Sequence, residues 1–195
     1  KLDAFACDDN APNRYYMNDG TNLNHIQGGI GDFPSGGNYA SNWFDYDNDG
    51  DLDLSLSGNV DYFETRKTAL YQNNNGQFTE VDFPYCKDLS CRLAWGDYDN
   101  DTYLDLFVAN NTNSTNKLYH NNGDGTFTKV LSGDAVNQGG NSHGSSFGDF
   151  DNDGDLDFVA FTETSTRLYR FSGQAACGLD LVCTNRCYAM VSEGS

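Results

Sequence analysis

Three acidic runs in constant register constrain this chain more than any other feature. Asp45-Tyr46-Asp47-Asn48-Asp49-Gly50-Asp51-Leu52-Asp53 recurs at Asp97 to Asp105 and at Asp149 to Asp157, with 52 residues between successive starts. A fixed period of about that length marks a repeat protein whose unit is one supersecondary element. The runs hold five, four and five of the 29 acidic residues, within a formal net charge of −18. Carboxylates packed this densely repel one another unless something neutralises them. The same charge argues against a nucleic-acid or anionic-membrane partner, since both require Lys and Arg.

Strand-like segments flank every run. Ala40 to Phe44, Leu93 to Gly96 and Ser145 to Gly148 precede the three runs and carry Trp43, Trp95 and Phe147 in matching positions. Leu52 to Leu56, Leu104 to Val108 and Leu156 to Ala160 follow them. The first of these alternates with period two. The other two are nearly continuous apolar runs, as in strands buried on both faces. A third strand ends in Leu70-Tyr71, Leu118-Tyr119 and Leu168-Tyr169, and Asn75-Gly76 and Asn122-Gly123 supply turns into a fourth at Phe78 to Val81 and Phe127 to Val130. Asn and Gly adopt positive φ at little cost, which suits such turns.

Four short antiparallel strands repeating every 50 residues or so describe the blades of an all-β propeller. The blades are expected at about 40–83, 92–131 and 144–171. Tyr15-Tyr16-Met17-Asn18-Asp19-Gly20, followed by Leu23, repeats the third and fourth strands and implies a partial blade at 14–30. No fourth strand is recognisable after Phe171, so 172–195 is expected to be a cysteine-containing tail outside the propeller region, 1–171. About three and a half blades fall short of the four to eight that usually close a ring. Completion by another segment or copy is therefore expected, and open strand edges favour self-association or a larger assembly.

The runs also read as cation loops. Asp at positions 1, 3, 5 and 9 offers carboxylates, position 6 permits a sharp bend, and position 7 offers a backbone carbonyl. Hard oxygen donors without Cys or His select calcium over zinc or copper. The expected ligands are Asp45, Asp47, Asp49, Asp53 and the Asp51 carbonyl; Asp97, Asp99, Asp101, Asp105 and the Tyr103 carbonyl; and Asp149, Asp151, Asp153, Asp157 and the Asp155 carbonyl. About three structural Ca2+ ions would offset six of the negative charges. Thr102 stands where the other loops have glycine, so the second site is expected to bind most weakly or with a flattened turn. An EF-hand does not fit. It needs flanking helices and a bidentate Glu at position 12, which here is Leu56, Val108 and Ala160.

These segments resemble the FG-GAP or VCBS repeats of integrin-α-like β-propellers, with Leu118-Tyr119-His120-Asn121-Asn122-Gly123-Asp124-Gly125-Thr126-Phe127 matching the other half of the repeat. The resemblance covers about residues 14–171 and implies structural calcium in the loops joining strands one and two. It transfers no ligand and no reaction. In such propellers the opposite face is the usual ligand face. Here that face would comprise Gly58 to Thr68, with Asp61-Tyr62-Phe63-Glu64 its most interaction-prone insert, and Phe83 to Arg92, Asn110 to Lys117, Ser132 to Ser142 and Thr162 to Arg167.

Six cysteines favour an oxidising compartment. Cys86 and Cys91 flank a short loop as a local pair, and Cys7, Cys177, Cys183 and Cys187 leave the remaining connectivity open. The tail spacing is a poor match to zinc sites. Sequons at Asn110 and Asn113 agree with a secreted or extracellular glycoprotein. No apolar run reaches the roughly 20 residues of a membrane span. His25, His120 and His143 share no repeat position and are expected to be structural or exposed, and Trp43, Trp95 and Phe147 to pack between blades rather than stack on sugars. No catalytic residues are expected. The functional expectation is a calcium-stabilised extracellular module for protein interaction, adhesion or assembly, with a protein or glycan ligand opposite the calcium loops. The alternative is a carbohydrate-binding lectin or a non-catalytic domain of a carbohydrate-active enzyme.

Overall fold

A computed structural model describes residues 2–8, 11–26, 28, 30–31, 38–58, 68–82, 91–110, 115–137, 142–162, 165–170 and 180–183. The chain is all-β and builds four antiparallel sheets, each a simple meander in chain order. The first contains β1 (Ala4–Ala6), β2 (Arg14–Asn18) and β3 (Leu23–Ile26). The second contains β4 (Asn38–Phe44), β5 (Asp53–Gly58), β6 (Ala69–Asn74) and β7 (Gln77–Val81). The third contains β8 (Cys91–Gly96), β9 (Asp105–Asn110), β10 (Lys117–Asn121) and β11 (Phe127–Lys129). A single helical turn, α1 (Asp134–Asn137), precedes the fourth sheet of β12 (Ser142–Gly148), β13 (Asp157–Thr162), β14 (Thr166–Tyr169) and β15 (Asp180–Cys183).

Two strands lie beyond what the repeat pattern reveals. β1 pairs with β2 through Ala4–Tyr16, Phe5–Tyr15 and Ala6–Arg14, so the first sheet holds a second-strand equivalent and not only strands three and four. β15 pairs with β14 from Thr166–Cys183 to Tyr169–Asp180, giving the fourth sheet its outer strand from within 172–195. It has no Phe-Thr signature and no Asn-Gly turn before it, which is why its sequence does not announce it.

The described residues form two compact units, Lys1–Cys91 with Gly123–Phe127, and Arg92–Asn122 with Thr128–Ser195. In the first, Leu54, Leu56, Ala69 and Tyr71 are buried with Phe5, Ile30, Trp43 and Phe78 packed against them. Tyr15, Trp43 and Phe78 form an aromatic triangle with centroids 5.9 to 6.3 Å apart, joining the first sheet to the second. Trp43 thus packs between sheets as expected. In the second unit Phe107 and Phe158 are fully buried with centroids 4.2 Å apart, and Phe158 stacks on Tyr169 at 4.6 Å. Burying each such ring is worth roughly 1.5–3 kcal/mol. Phe147 lies so close to Gly96 that a Cβ there would sit 2.4 Å from the ring, so the third and fourth sheets meet where only glycine fits.

Burial modifies one expectation. Asp53 to Ser57 is buried at every residue, so β5 is covered on both faces despite its alternating sequence. β9 is likewise buried throughout, whereas β13 exposes Phe161.

Candidate functional site

Each acidic run is a loop between the first and second strands of a sheet, and one hydrogen-bond plan shapes all three. The position-1 carboxylate folds back on its own loop. Asp45 accepts from the Asp49 and Gly50 amides at 3.1 and 2.9 Å, Asp97 from Asp101 and Thr102 at 3.0 and 2.9 Å, and Asp149 from Asp153 and Gly154 at 3.2 and 3.1 Å. The position-5 carboxylate closes a smaller turn. Asp49, Asp101 and Asp153 accept from the amides of Asp51, Tyr103 and Asp155 at 2.8, 2.9 and 3.0 Å.

Two residues per loop are left-handed. Asn48, Asn100 and Asn152 at position 4 have φ near 60°, a region Asn tolerates. Position 6 has φ of 93° at Gly50, 81° at Thr102 and 95° at Gly154. The second turn is therefore not flattened, and that part of the expectation is corrected. Thr102 takes up the glycine conformation at a cost on the order of 1 kcal/mol.

Position 9 anchors the loop to the sheet. Asp53, Asp105 and Asp157 are completely buried. Their Oδ2 atoms accept from the position-2 amides of Tyr46, Tyr98 and Phe150 at 2.9, 3.0 and 3.2 Å. The Oδ1 atoms of Asp53 and Asp105 accept from the third-strand amides of Asn73 and Asn121, both at 2.8 Å. Burial pushes the Asp53 carboxyl up to about 6, against the opposing pull of the Asn73 and Tyr46 amides, with Asp47 and Asp49 adding to the rise. Burial raises Asp105 as well. Asp99 rises through burial and then through Asp101, with His120 opposing.

The structure gathers positions 1, 3 and 9 into carboxylate triads: Asp45, Asp47, Asp53; Asp97, Asp99, Asp105; and Asp149, Asp151, Asp157, each with ligand oxygens within 4.8 Å of one another. Position 5 joins no such triad; Asp49 and Asp153 serve as turn formers, and Asp101 groups instead with Asp99 and His120. At position 7 the side chains of Asp51 and Asp155 are engaged, Asp51 accepting from the Asn75 amide at 2.6 Å and Asp155 from the Asn100 side chain, which ties the second loop to the third. In the first triad Asp47 Oδ1 is buried without a hydrogen-bond donor. A buried carboxylate oxygen facing other carboxylates is the environment that a hard cation satisfies. The donor set therefore fits calcium, with Asp45, Asp47 and Asp53 and their counterparts as holders.

Residues beyond the loops also reach the triads. The residue after each Leu-Tyr pair contacts the position-3 carboxylate. Gln72 Nε2 donates to Asp47 at 2.6 Å, His120 Nδ1 lies 3.0 Å from Asp99, and Arg170 Nε lies 3.0 Å from Asp151. His120 is thus a site residue in register with Gln72 and Arg170, not a structural bystander. The Leu-Tyr landmark, read one residue further, locates all three.

Asp3 was equally hidden. It accepts from the Asn18 amide at 2.8 Å, as Asp53 does from Asn73, and Asn18 Nδ2 donates to Leu2 as Asn73 Nδ2 does to Leu52. Leu2 and Asp3 therefore occupy positions 8 and 9 of a first repeat, and the Leu-Asp dipeptide ahead of a strand is its sequence signal.

The other sequence-derived sites fare differently. Cys7 is a free, half-buried thiol in the segment between β1 and β2; burial raises its pKa and a hydrogen bond to Ser41 opposes the rise. Cys86, Cys177 and Cys187 lie outside the described residues, as do Asn113 and Asp61 to Glu64. Cys91 and Cys183 have only their strand placement described. Asn110 is completely buried at the end of β9, with its amide bonded to Asn116 at 3.0 Å, so it presents no exposed side chain for a glycan. That sequon reading is corrected.

Comparison with known proteins agrees with this arrangement. Residues 97–160, which span the second loop, β9 to β12, the third loop and the start of β13, match the family model of the FG-GAP-like repeat. This stretch carries an FG-GAP-like repeat. No curated protein matches the chain. Among solved structures it is similar in fold to an Agrocybe aegerita lectin described as specifically recognising non-reducing terminal N-acetylglucosamine. That match has a TM-score of 0.51 at 18% identity and covers 86% of this chain and 48% of the lectin. The chain thus spans about half the length of that lectin, and the likeness concerns fold alone. No helix among the described residues is long and apolar enough to cross a membrane.

Proposed function

We propose that the chain is a calcium-stabilised, propeller-type module of an extracellular or surface protein, serving interaction or assembly rather than catalysis. The observation that carries this reading is the threefold triad of carboxylates around buried position-9 aspartates, with Asp47 Oδ1 lacking a donor. A divalent ion at each triad would relieve the repulsion and join the loop to strands two and three. Millimolar calcium outside cells would fill even modest sites. The matched region is 48% of the lectin's chain, and further blades contributed by another segment or copy would complete a fold of that length.

A second reading is favoured by the fold of the lectin: a glycan ligand on the face opposite the acidic loops. The two readings part in one experiment. The chain is screened against a glycan array that includes N-acetylglucosamine-terminated glycans, while its particle mass is measured with calcium and with chelator. Calcium-dependent association without glycan binding supports an assembly module. Saturable glycan binding supports the lectin reading. A monomer whose mass and fold ignore calcium, and which binds no glycan, contradicts both.

A further inference from the structure

The first and third loops are the same nonapeptide except at position 2, Tyr46 in one and Phe150 in the other. Their triads are built from the same aspartates, and their position-6 glycines have φ of 93° and 95°. What differs is the group that the third strand directs at position 3. In the first loop a neutral amide, Gln72, donates a single hydrogen bond to Asp47 and leaves its charge in place. In the third, the Arg170 guanidinium pairs with Asp151 at 3.0 Å. The guanidinium carbon also stands 5.1 Å from the centre of the Phe150 ring. The only loop substitution is thus the residue on which the arginine packs, and that packing favours the guanidinium at the loop.

We propose that the residue after the Leu-Tyr pair sets the cation demand of each loop, and that Arg170 is a built-in cation for the third. The inference rests on the calcium reading above and refines it. A calcium ion entering the third triad meets a carboxylate already paired with a fixed positive charge, and it must either share Asp151 with the guanidinium or displace it. The third loop accordingly keeps its shape with less help from calcium and binds it more weakly than the first. The Arg170 side chain is 43% exposed and that of Asp151 21%, so solvent screens the pair. The expected difference is therefore on the order of tenfold in affinity rather than the far larger gap of a dry site.

Isothermal titration of the full, chelator-stripped chain with calcium tests this. In the native chain the loop-three site should bind about tenfold more weakly than the loop-one site. Arg170→Gln should strengthen the loop-three site by about tenfold, and Arg170→Lys, which keeps the charge, should leave it within about threefold. Gln72→Arg should weaken the loop-one site by about tenfold, and it carries the test if Arg170→Gln does not fold. Unchanged affinities in both Arg170→Gln and Gln72→Arg would overturn the inference while leaving the calcium reading intact. So would equal strengthening by Lys and Gln, since charge would then not be the cause. No calcium uptake by the native chain or any variant would instead overturn the calcium reading beneath it.

Discussion

Loops one and three share eight of nine residues, yet they do not present the same electrostatic site. In the first, Asp45, Asp47 and Asp53 face each other with only hydrogen-bond donors around them, and one buried oxygen of Asp47 has none. In the third, a guanidinium already stands against the middle carboxylate. A loop motif therefore specifies the shape of a cation site, while a residue from a strand further along the chain specifies how much charge remains for the ion. Repeat proteins can tune copies of one motif independently in this way, without touching the motif.

The largest expected effect comes from removing the anchor of loop one. Asp53→Ala leaves the Tyr46 and Asn73 amides without their buried acceptor and removes one triad member. We expect a loss of about 3 kcal/mol in urea unfolding with calcium present. Asp157→Ala should lose a smaller calcium-dependent part, because Arg170 still neutralises Asp151. Equal calcium-dependent losses would erase the distinction between the loops.

Next in size is the exchange of the two partners. The double variant Gln72→Arg/Arg170→Gln should swap the affinity order of the loops while conserving the net charge of the chain. Tenfold in affinity corresponds to about 1.4 kcal/mol per site. Single-site knockouts in that background, Asp45→Asn against Asp149→Asn, would assign the tight event to loop three.

Smaller again is Thr102→Gly, which relieves the φ of 81° in the second loop. Folding stability in chelator should rise by about 1 kcal/mol, because glycine takes up that φ without strain. A stronger site with unchanged stability would place that strain in binding instead.

The smallest effect concerns Asp19, a carboxylate satisfied by its own turn. It accepts from the Thr21 and Asn22 amides, both at 2.8 Å, from the Thr21 hydroxyl at 2.7 Å and from the Asn24 side chain at 2.8 Å. Those bonds, led by the Thr21 hydroxyl, hold its pKa well below the ordinary 3.8. A depressed folded-state pKa gives stability that is present above the unfolded value and lost as pH falls through the folded one. Asp19→Ala should therefore slightly lower stability at neutral pH, less so in acid, and equally with calcium or chelator. A calcium-dependent effect would show that Asp19 is linked to an ion site.

Much of this architecture is legible from sequence because its signals are local. Leu-Asp before each second strand, Leu-Tyr within the third and Asn-Gly in the turn lie in fixed register, and the sheets follow them closely. The triads are readable for the same reason, since their members sit within nine residues. The partners at position 3 are not readable that way. Gln72 and Asp47 lie 25 residues apart, and Gln, His and Arg share no composition that a pattern would catch. Their common role appears only when the third strand returns beside the loop. β15 escaped notice because pairing with β14 defines it, and Asn110 because a sequon says nothing of burial. Position 5 is spaced as a ligand, and its second task, holding the position-7 amide, appears only in the folded turn.

The central claim is that the acidic loops are completed by calcium. Its most direct test is the melting temperature of the full chain in excess calcium against the same chain in chelator. Saturation at 100 times the dissociation constant stabilises by about 2.7 kcal/mol per site, so the account predicts a rise of several degrees or more with calcium. A melting temperature that calcium and chelator leave unchanged would contradict it.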